Sequence, residues 1–305
     1  GAVIGTVTQD RATTIAGRLG PAPPLIPITI ALRSDRGIAR TVRLQVVPDQ
    51  MFGPLMTYLG IVETLTAYQR QMGAASFAVR GQVQLRNRGA IALEDLFTGE
   101  QSLAAAAGYV MTPLNLLLRN AYEDVTVEAI ALEIDATEHL QTATIERAWV
   151  DAVRVRAGAT VPLKVALRTY RGETLTRTLP IQIPANTRGA VSILVTDGAR
   201  LSQLELREQA TPPALTRGLP QMVRAFNATR RNSRLYVRLI TPDGGAVVRG
   251  ESLASLPPSV LSVLEGDRSG GSFRPLQTAL HGAWELALDH AVTGSRTLTL
   301  PLDQD

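Results

Sequence analysis

The sequence predicts a mainly β fold with α/β elements: duplicated immunoglobulin-like β-sandwich units plus a small C-terminal α/β domain. Three observations carry this expectation. Val161, Leu163, Val165 and Leu167 alternate with polar residues, a turn follows at Tyr170-Arg171-Gly172-Glu173, and alternation resumes at Leu179, Ile181 and Ile183. Period-two patterning on both sides of a Gly-bearing turn is the signature of an antiparallel hairpin with one buried face. The same unit recurs earlier. Pro27, Ala31, Leu32, Arg33, Arg36 and Gly37 match Pro162, Ala166, Leu167, Arg168, Arg171 and Gly172, and a two-residue insertion then aligns Arg40, Thr41 and Gln45 with Arg177, Thr178 and Gln182. Finally, 25 Gly and 18 Pro spread along 305 residues punctuate many short strands.

The first unit is expected over residues 1–122. Val3, Val7, Thr13 and Ile15 alternate loosely, one or two strands around Gln9-Asp10-Arg11, and Gly17 to Pro24 is a turn-rich link into the hairpin at 26–46. Periodicity then changes. Leu55, Leu59 and Val62, with Tyr58, Leu65 and Tyr68, recur at helical spacing, Pro54 sits in the first turn and Gly73 ends the run, which predicts a helix near 51–72. Phe77, Val79, Val83 and Leu85 return to alternation before the Asn87-Arg88-Gly89 turn. A second helix is expected near 101–120, broken or kinked by Gly108 and Pro113.

An immunoglobulin-like sandwich is expected over 123–210, from a bulged strand at Val125 to Asp135, strands around Trp149, the second hairpin and Ala190 to Val195. Thr211-Pro212-Pro213 reads as a boundary. The α/β domain at 211–305 would hold a basic amphipathic helix at Pro220 to Arg231, a strand at Leu235 to Ile240 turning at Pro242-Asp243-Gly244-Gly245, a short helix at Pro257 to Glu265, and strands at Trp284 to Leu288 and Arg296 to Leu302.

Composition narrows function by exclusion. The chain has no Cys, so disulfides and thiolate metal sites are ruled out. No apolar run approaches the roughly 18–20 residues a membrane helix needs, so no transmembrane segment is expected. Net charge is only +4, with Lys164 the sole Lys among 31 basic residues; that is too little for a nucleic-acid partner to be the expectation. The abrupt, strand-like opening GAVIGTVTQDR reads as a processed product or an excised fragment.

Candidate chemistry dissolves on inspection. His139, His281 and His290 lack the i, i+4 spacing of a metal pair, and no metal or cofactor is expected. Glu94-Asp95 and Glu123-Asp124 are neighbours, so each pair would point to opposite faces of a strand, which fits capping and solvation better than paired acid–base work. Gly270-Gly271-Ser272-Phe273 is neither a nucleophile elbow nor a phosphate loop. Arg230, Arg231, Arg234 and Arg238 around Tyr236 divide between a helix end and alternate strand positions. Asn227-Ala228-Thr229 is a common chance match to a glycosylation acceptor. No catalytic, cofactor-binding or metal-ligating residue is assigned.

One stretch carries a resemblance. Gly5, Thr6, Gln9, Asp10, Arg11, Gly17, Gly20, Ile26, Pro27 and Ile28 match the segment that follows the peptidase core in bacterial SpoIVB-type serine peptidases. Leu93 to Gly99, Asn232 to Leu239 and Leu256 to Leu261 are similar to the long C-terminal region of large exported members. Catalysis in that family depends on a His in Gly-His-x-Phe and a Ser in Ser-Gly-Ser-Pro. Neither occurs here: Leu280 precedes His281, and Ser272 lacks the flanking Ser and Pro. The resemblance therefore implies a non-catalytic accessory region, periplasmic, cell-surface or secreted, whose partner is the N-terminal peptidase half or another envelope protein. The alternative expectation is a stand-alone envelope adhesion or scaffold protein.

Overall fold

The computed structural model describes residues 5–20, 24–66, 74–120, 123, 125–185, 187, 189–208, 218–241, 245–248, 251–253, 273–276 and 279–303. The chain is mostly β and divides into two compact units, residues 1–139 with 214–228 and residues 140–213 with 229–305. In chain order the first unit begins with strands β1 (Gly5–Arg11), β2 (Thr14–Leu19), β3 (Ile26–Ser34) and β4 (Ala39–Val46). Helix α1 (Phe52–Thr66), strands β5 (Ala75–Leu85) and β6 (Gly89–Gly99), helix α2 (Ser102–Leu118) and strand β7 (Val127–Thr137) follow. The second unit opens with β8 (Thr142–Trp149), β9 (Thr160–Thr169), β10 (Thr174–Gln182), β11 (Ala190–Thr196) and α3 (Gly198–Glu208). Helix α4 (Leu219–Asn227) returns to the first unit. Strands β12 (Arg234–Thr241), β13 (Gly245–Val248), β14 (Glu251–Leu253), β15 (Phe273–Leu276), β16 (Ala279–Ala287), β17 (Ala291–Thr293) and β18 (Ser295–Pro301) complete the second.

The first unit is a five-stranded sheet of order β4-β3-β7-β5-β6 with its helices on one face. Alternation decides the faces. Ile26, Ile28, Ile30 and Leu32 of β3, with Ile130, Leu132 and Ile134 of β7 and Val79 and Val83 of β5, are all buried beneath Ile61 and Leu65 of α1 and Val110, Leu114 and Leu117 of α2. The opposite face is exposed and carries an ion-pair lattice: Arg33 to Asp135 at 2.8 Å and Glu133 at 3.1 Å, and Arg80 to Asp135 at 3.2 Å. At this exposure each pair adds only about 0–1 kcal/mol. The burial of the apolar face holds the unit together, at roughly 25 cal/mol per Å² of apolar surface removed from water.

Two four-stranded sheets, β10-β9-β8-β17 and β16-β12-β11-β18, share one core in the second unit and form a β-sandwich. Leu163, Val165 and Leu167 of one sheet and Ile193, Val195, Leu235 and Val237 of the other are completely buried. A three-stranded sheet, β14-β13-β15, accompanies them. Asp197 joins several parts of this unit. Its carboxylate accepts the Arg200 N–H at 2.7 Å, which caps α3, and the Gly294 N–H at 2.7 Å between β17 and β18.

Both expected hairpins are present, β3–β4 and β9–β10, and both turns have four residues. The two-residue insertion expected after the turn is therefore absent. Arg33 pairs with Ala39 and Arg168 with Thr174 at one constant offset, so Arg40 corresponds to Leu175 and not to Arg177. The likeness extends to the turn and stops at the sheets around it: β3 runs parallel to β7, whereas β9 runs antiparallel to β8. One copy lies in a helix-covered sheet and the other in a sandwich.

Domain boundaries shift for a similar reason. The strand at Val127–Thr137, expected in the sandwich, fills the gap between β3 and β5. The 211–305 region is not a separate domain, because β12 and β18 flank β11 and so complete the sandwich. Pro113 is buried inside a continuous α2. Gln9, Asp10 and Arg11 belong to β1, and the turn lies at Ala12-Thr13. The Pro242 turn, the expected Pro257–Glu265 helix and Gly270 to Ser272 lie outside the described residues.

Candidate interaction surfaces

The singled-out side chains are dispersed, and most are engaged in holding the fold. His139 follows β7, and its carbonyl accepts the Ser76 hydroxyl at 2.7 Å. His290 lies in the turn before β17. His281 Nε2 is 2.7 Å from Thr241 Oγ1, a hydroxyl–imidazole pair that spacing alone could not reveal. Thr241 is 1% exposed, so no substrate reaches that oxygen, and among the described residues no carboxylate orients the ring as a hydrolytic triad requires. The imidazole satisfies a buried hydroxyl.

Glu94 is exposed and Asp95 buried, on opposite faces of β6 as strand geometry demands. Asp95 accepts the Leu96 N–H at 2.8 Å. Glu123 accepts the Leu219 N–H at 3.1 Å at the start of α4 and pairs with Arg88 at 2.6 Å; Asp124 lies outside the described residues. Asn227 ends α4 and accepts the Ala92 N–H of β6 at 2.8 Å.

Three of the four clustered arginines meet carboxylates where they stand. Glu205 of α3 takes two bonds from Arg230, at 2.7 and 3.2 Å, and one from Arg238 at 3.2 Å, while Arg234 pairs with Glu285 at 2.9 Å. Glu205 holds the Arg230 guanidinium firmly charged, and burial pushes the Tyr236 phenol above its ordinary range although Arg231 N–H bonds its oxygen at 2.8 Å. Arg230 also lies 5.3 Å from the Tyr236 ring centre, within cation–π reach. Charges committed to carboxylates this way are poor phosphate binders. Among the described residues no cluster of three or more His, Asp or Glu side chains is arranged to hold a metal ion. Among those residues, too, no helix is long and apolar enough to cross a membrane.

A space of about 30 Å³, lined by Leu32, Leu65 and Phe77 with Asp35, Arg36 and Glu138 at its rim, holds little more than a water.

What the surface does offer is apolar and exposed. β1 and β2 form a sheet of their own, with Val7 63%, Ile15 72% and Leu19 86% exposed. Helix α1 leaves Phe52, Leu55, Met56 and Leu59 between 41% and 49% exposed. Sequence reasoning placed a helix here from its apolar spacing and did not single out this face. The available signal was that Phe52–Thr66 carries a single charged residue, Glu63. A helix apolar on all sides has more to bury than one sheet can cover.

Compared with protein-family models, with curated proteins and with solved structures, the chain matches none of them.

Proposed function

We propose that this chain is a non-catalytic interaction region that docks through its β1–β2 hairpin, the role implied for the C-terminal part of an exported SpoIVB-type serine peptidase. The observation that carries the reading is the hairpin itself. A two-stranded hairpin is marginally stable alone in water, yet this one displays Val7, Ile15 and Leu19 to solvent. Burying three such side chains against a partner provides on the order of 5 kcal/mol. Gly5, Thr6, Gln9, Asp10, Arg11 and Gly17, the residues that carry the resemblance, are positions of these two strands. On this reading the partner is the peptidase half, the chemistry is performed there, and the pair works in the bacterial envelope or outside the cell.

Three experiments test it. The reading frame upstream should encode the Gly-His-x-Phe and Ser-Gly-Ser-Pro motifs, and their absence removes the peptidase from the proposal. The upstream segment, expressed separately, should co-elute with the full chain and lose about tenfold in affinity when Val7 and Ile15 become Asp. Unchanged binding by that double variant overturns hairpin docking. A fluorophosphonate probe should label the upstream segment and leave this chain untouched.

A further inference from the structure

We infer that a second copy of this chain docks along β4, joining two five-stranded sheets through antiparallel β4–β4 pairing and closing α1 of one copy against α1 of the other. The surface is separate from the hairpin, so either proposal can fail without the other.

The two rims of the first unit's sheet are treated differently. At the β6 rim the Ala92 N–H donates to Asn227 Oδ1 at 2.8 Å and the Glu94 N–H to the Tyr109 hydroxyl at 3.2 Å. Side chains of α4 and α2 thus take up the donors that another strand would use. At the other rim β4 is the terminal strand, and Arg40, Thr41, Arg43 and Gln45 along it are exposed. Among the described residues it pairs with β3 alone, and a terminal strand of this kind is a template for pairing.

Helix α1 extends that rim into an apolar surface. Phe52, Met56 and Gly60 are four residues apart and share one ridge of the helix. The ridge starts at β4: a side chain at Gly60 would meet the Leu44 methyl group at 2.9 Å. From there it opens to solvent at Met56, 41% exposed, and Phe52, 49% exposed, with Val47 at 41% and Met51 at 56% beside the end of β4. These side chains and Leu59 present on the order of 500 Å², near the upper end of what a monomer ordinarily shows. With the strand edge added, the surface approaches the roughly 800 Å² per partner of a stable interface.

The patch favours its own copy. A two-fold axis perpendicular to the sheet pairs β4 with itself in the antiparallel sense and sets the same uncharged ridge against itself. Register follows from side-chain direction. Opposed residues of an antiparallel pair share a face, so both helix layers lie on one side only if the axis passes through a residue. Residues 42 and 43 give the fullest overlap of the 39–46 strand. An axis at Arg43 would oppose two like charges. An axis at Val42 places Arg43 opposite Thr41 and Arg40 opposite Leu44, which leaves no arginine facing another.

The chain contains no Cys, so single-cysteine variants report the register directly. Light scattering on the intact chain should give twice the chain mass. Val42→Cys should form a disulfide-linked dimer on mild oxidation, since directly opposed residues fall within bonding range, and Arg43→Cys should cross-link several-fold less. Phe52→Glu with Met56→Glu should weaken dimerisation about tenfold or more while leaving the circular dichroism spectrum unchanged. A chain that stays monomeric up to its solubility limit overturns the inference. So does a dimer that cross-links at neither position, or one that survives the two Glu substitutions.

Discussion

Gly37 and Gly172 occupy the same position of the same turn in two different sheets. Their φ angles are 78° and 87°. The Gly37 N–H donates to the Ser34 carbonyl at 3.0 Å, and the Gly172 N–H to the Thr169 carbonyl at 2.9 Å. One residue after each strand end the bonds match again. The Asp35 N–H reaches the Ala136 carbonyl of β7 at 3.2 Å, and the Tyr170 N–H reaches the Thr142 carbonyl of β8 at 3.1 Å. Each turn is therefore tied to a third strand, whichever direction that strand runs.

Left-handed backbone at these glycines costs a residue such as alanine about 1–2 kcal/mol. Gly37→Ala and Gly172→Ala should each lower stability by that amount in urea unfolding followed by circular dichroism. No Cβ clash adds to it, because the space around both positions is open. Loss well under 0.5 kcal/mol at both sites would show that the turns relax into another conformation.

Thr196 offers the opposite prediction. It is completely buried at the end of β11, and among the described residues its hydroxyl has no hydrogen-bond partner. An unsatisfied buried hydroxyl costs about 1–3 kcal/mol. Thr196→Val keeps the shape and removes the polar atom, so it should raise the urea midpoint by a gain of about 1 kcal/mol. Destabilisation by the same amount would mean that the hydroxyl has a partner.

Acid should weaken the first unit through two carboxylates. The Thr137 hydroxyl, at 2.6 Å, holds the Asp35 carboxyl below its ordinary pKa, helped by the Glu138 N–H. Asp49 is lowered by the N–H groups of Phe52, at 2.7 Å, and Met51, at 2.8 Å, as it caps α1. For a lowered carboxyl the stabilisation is complete above the unfolded pKa, about 3.9 for Asp, and drains away as pH falls through the lower folded value. Asp35→Asn and Asp49→Asn should therefore differ from the parent by a constant amount between pH 5 and pH 7 and converge with it below about pH 4. A difference that persists undiminished at pH 2 would sink the assignment.

Period-two alternation sufficed to place strands such as Val161 to Leu167, because an apolar face every second residue has no other stable use. A Gly two residues before each return strand sufficed to place both turns, because few other residues tolerate that backbone. Partner choice was beyond the sequence. Ile130, Leu132 and Ile134 identify a strand buried on one face, but nothing local says that β7 lies between β3 and β5 or that β12 and β18 flank β11. Those pairings are set by how the apolar faces close over one another at long range. The surfaces were hidden for the same cause: an apolar α1 reads as core until the sheet proves too narrow to cover Phe52 and Met56, and only the folded chain shows how much of it is left over.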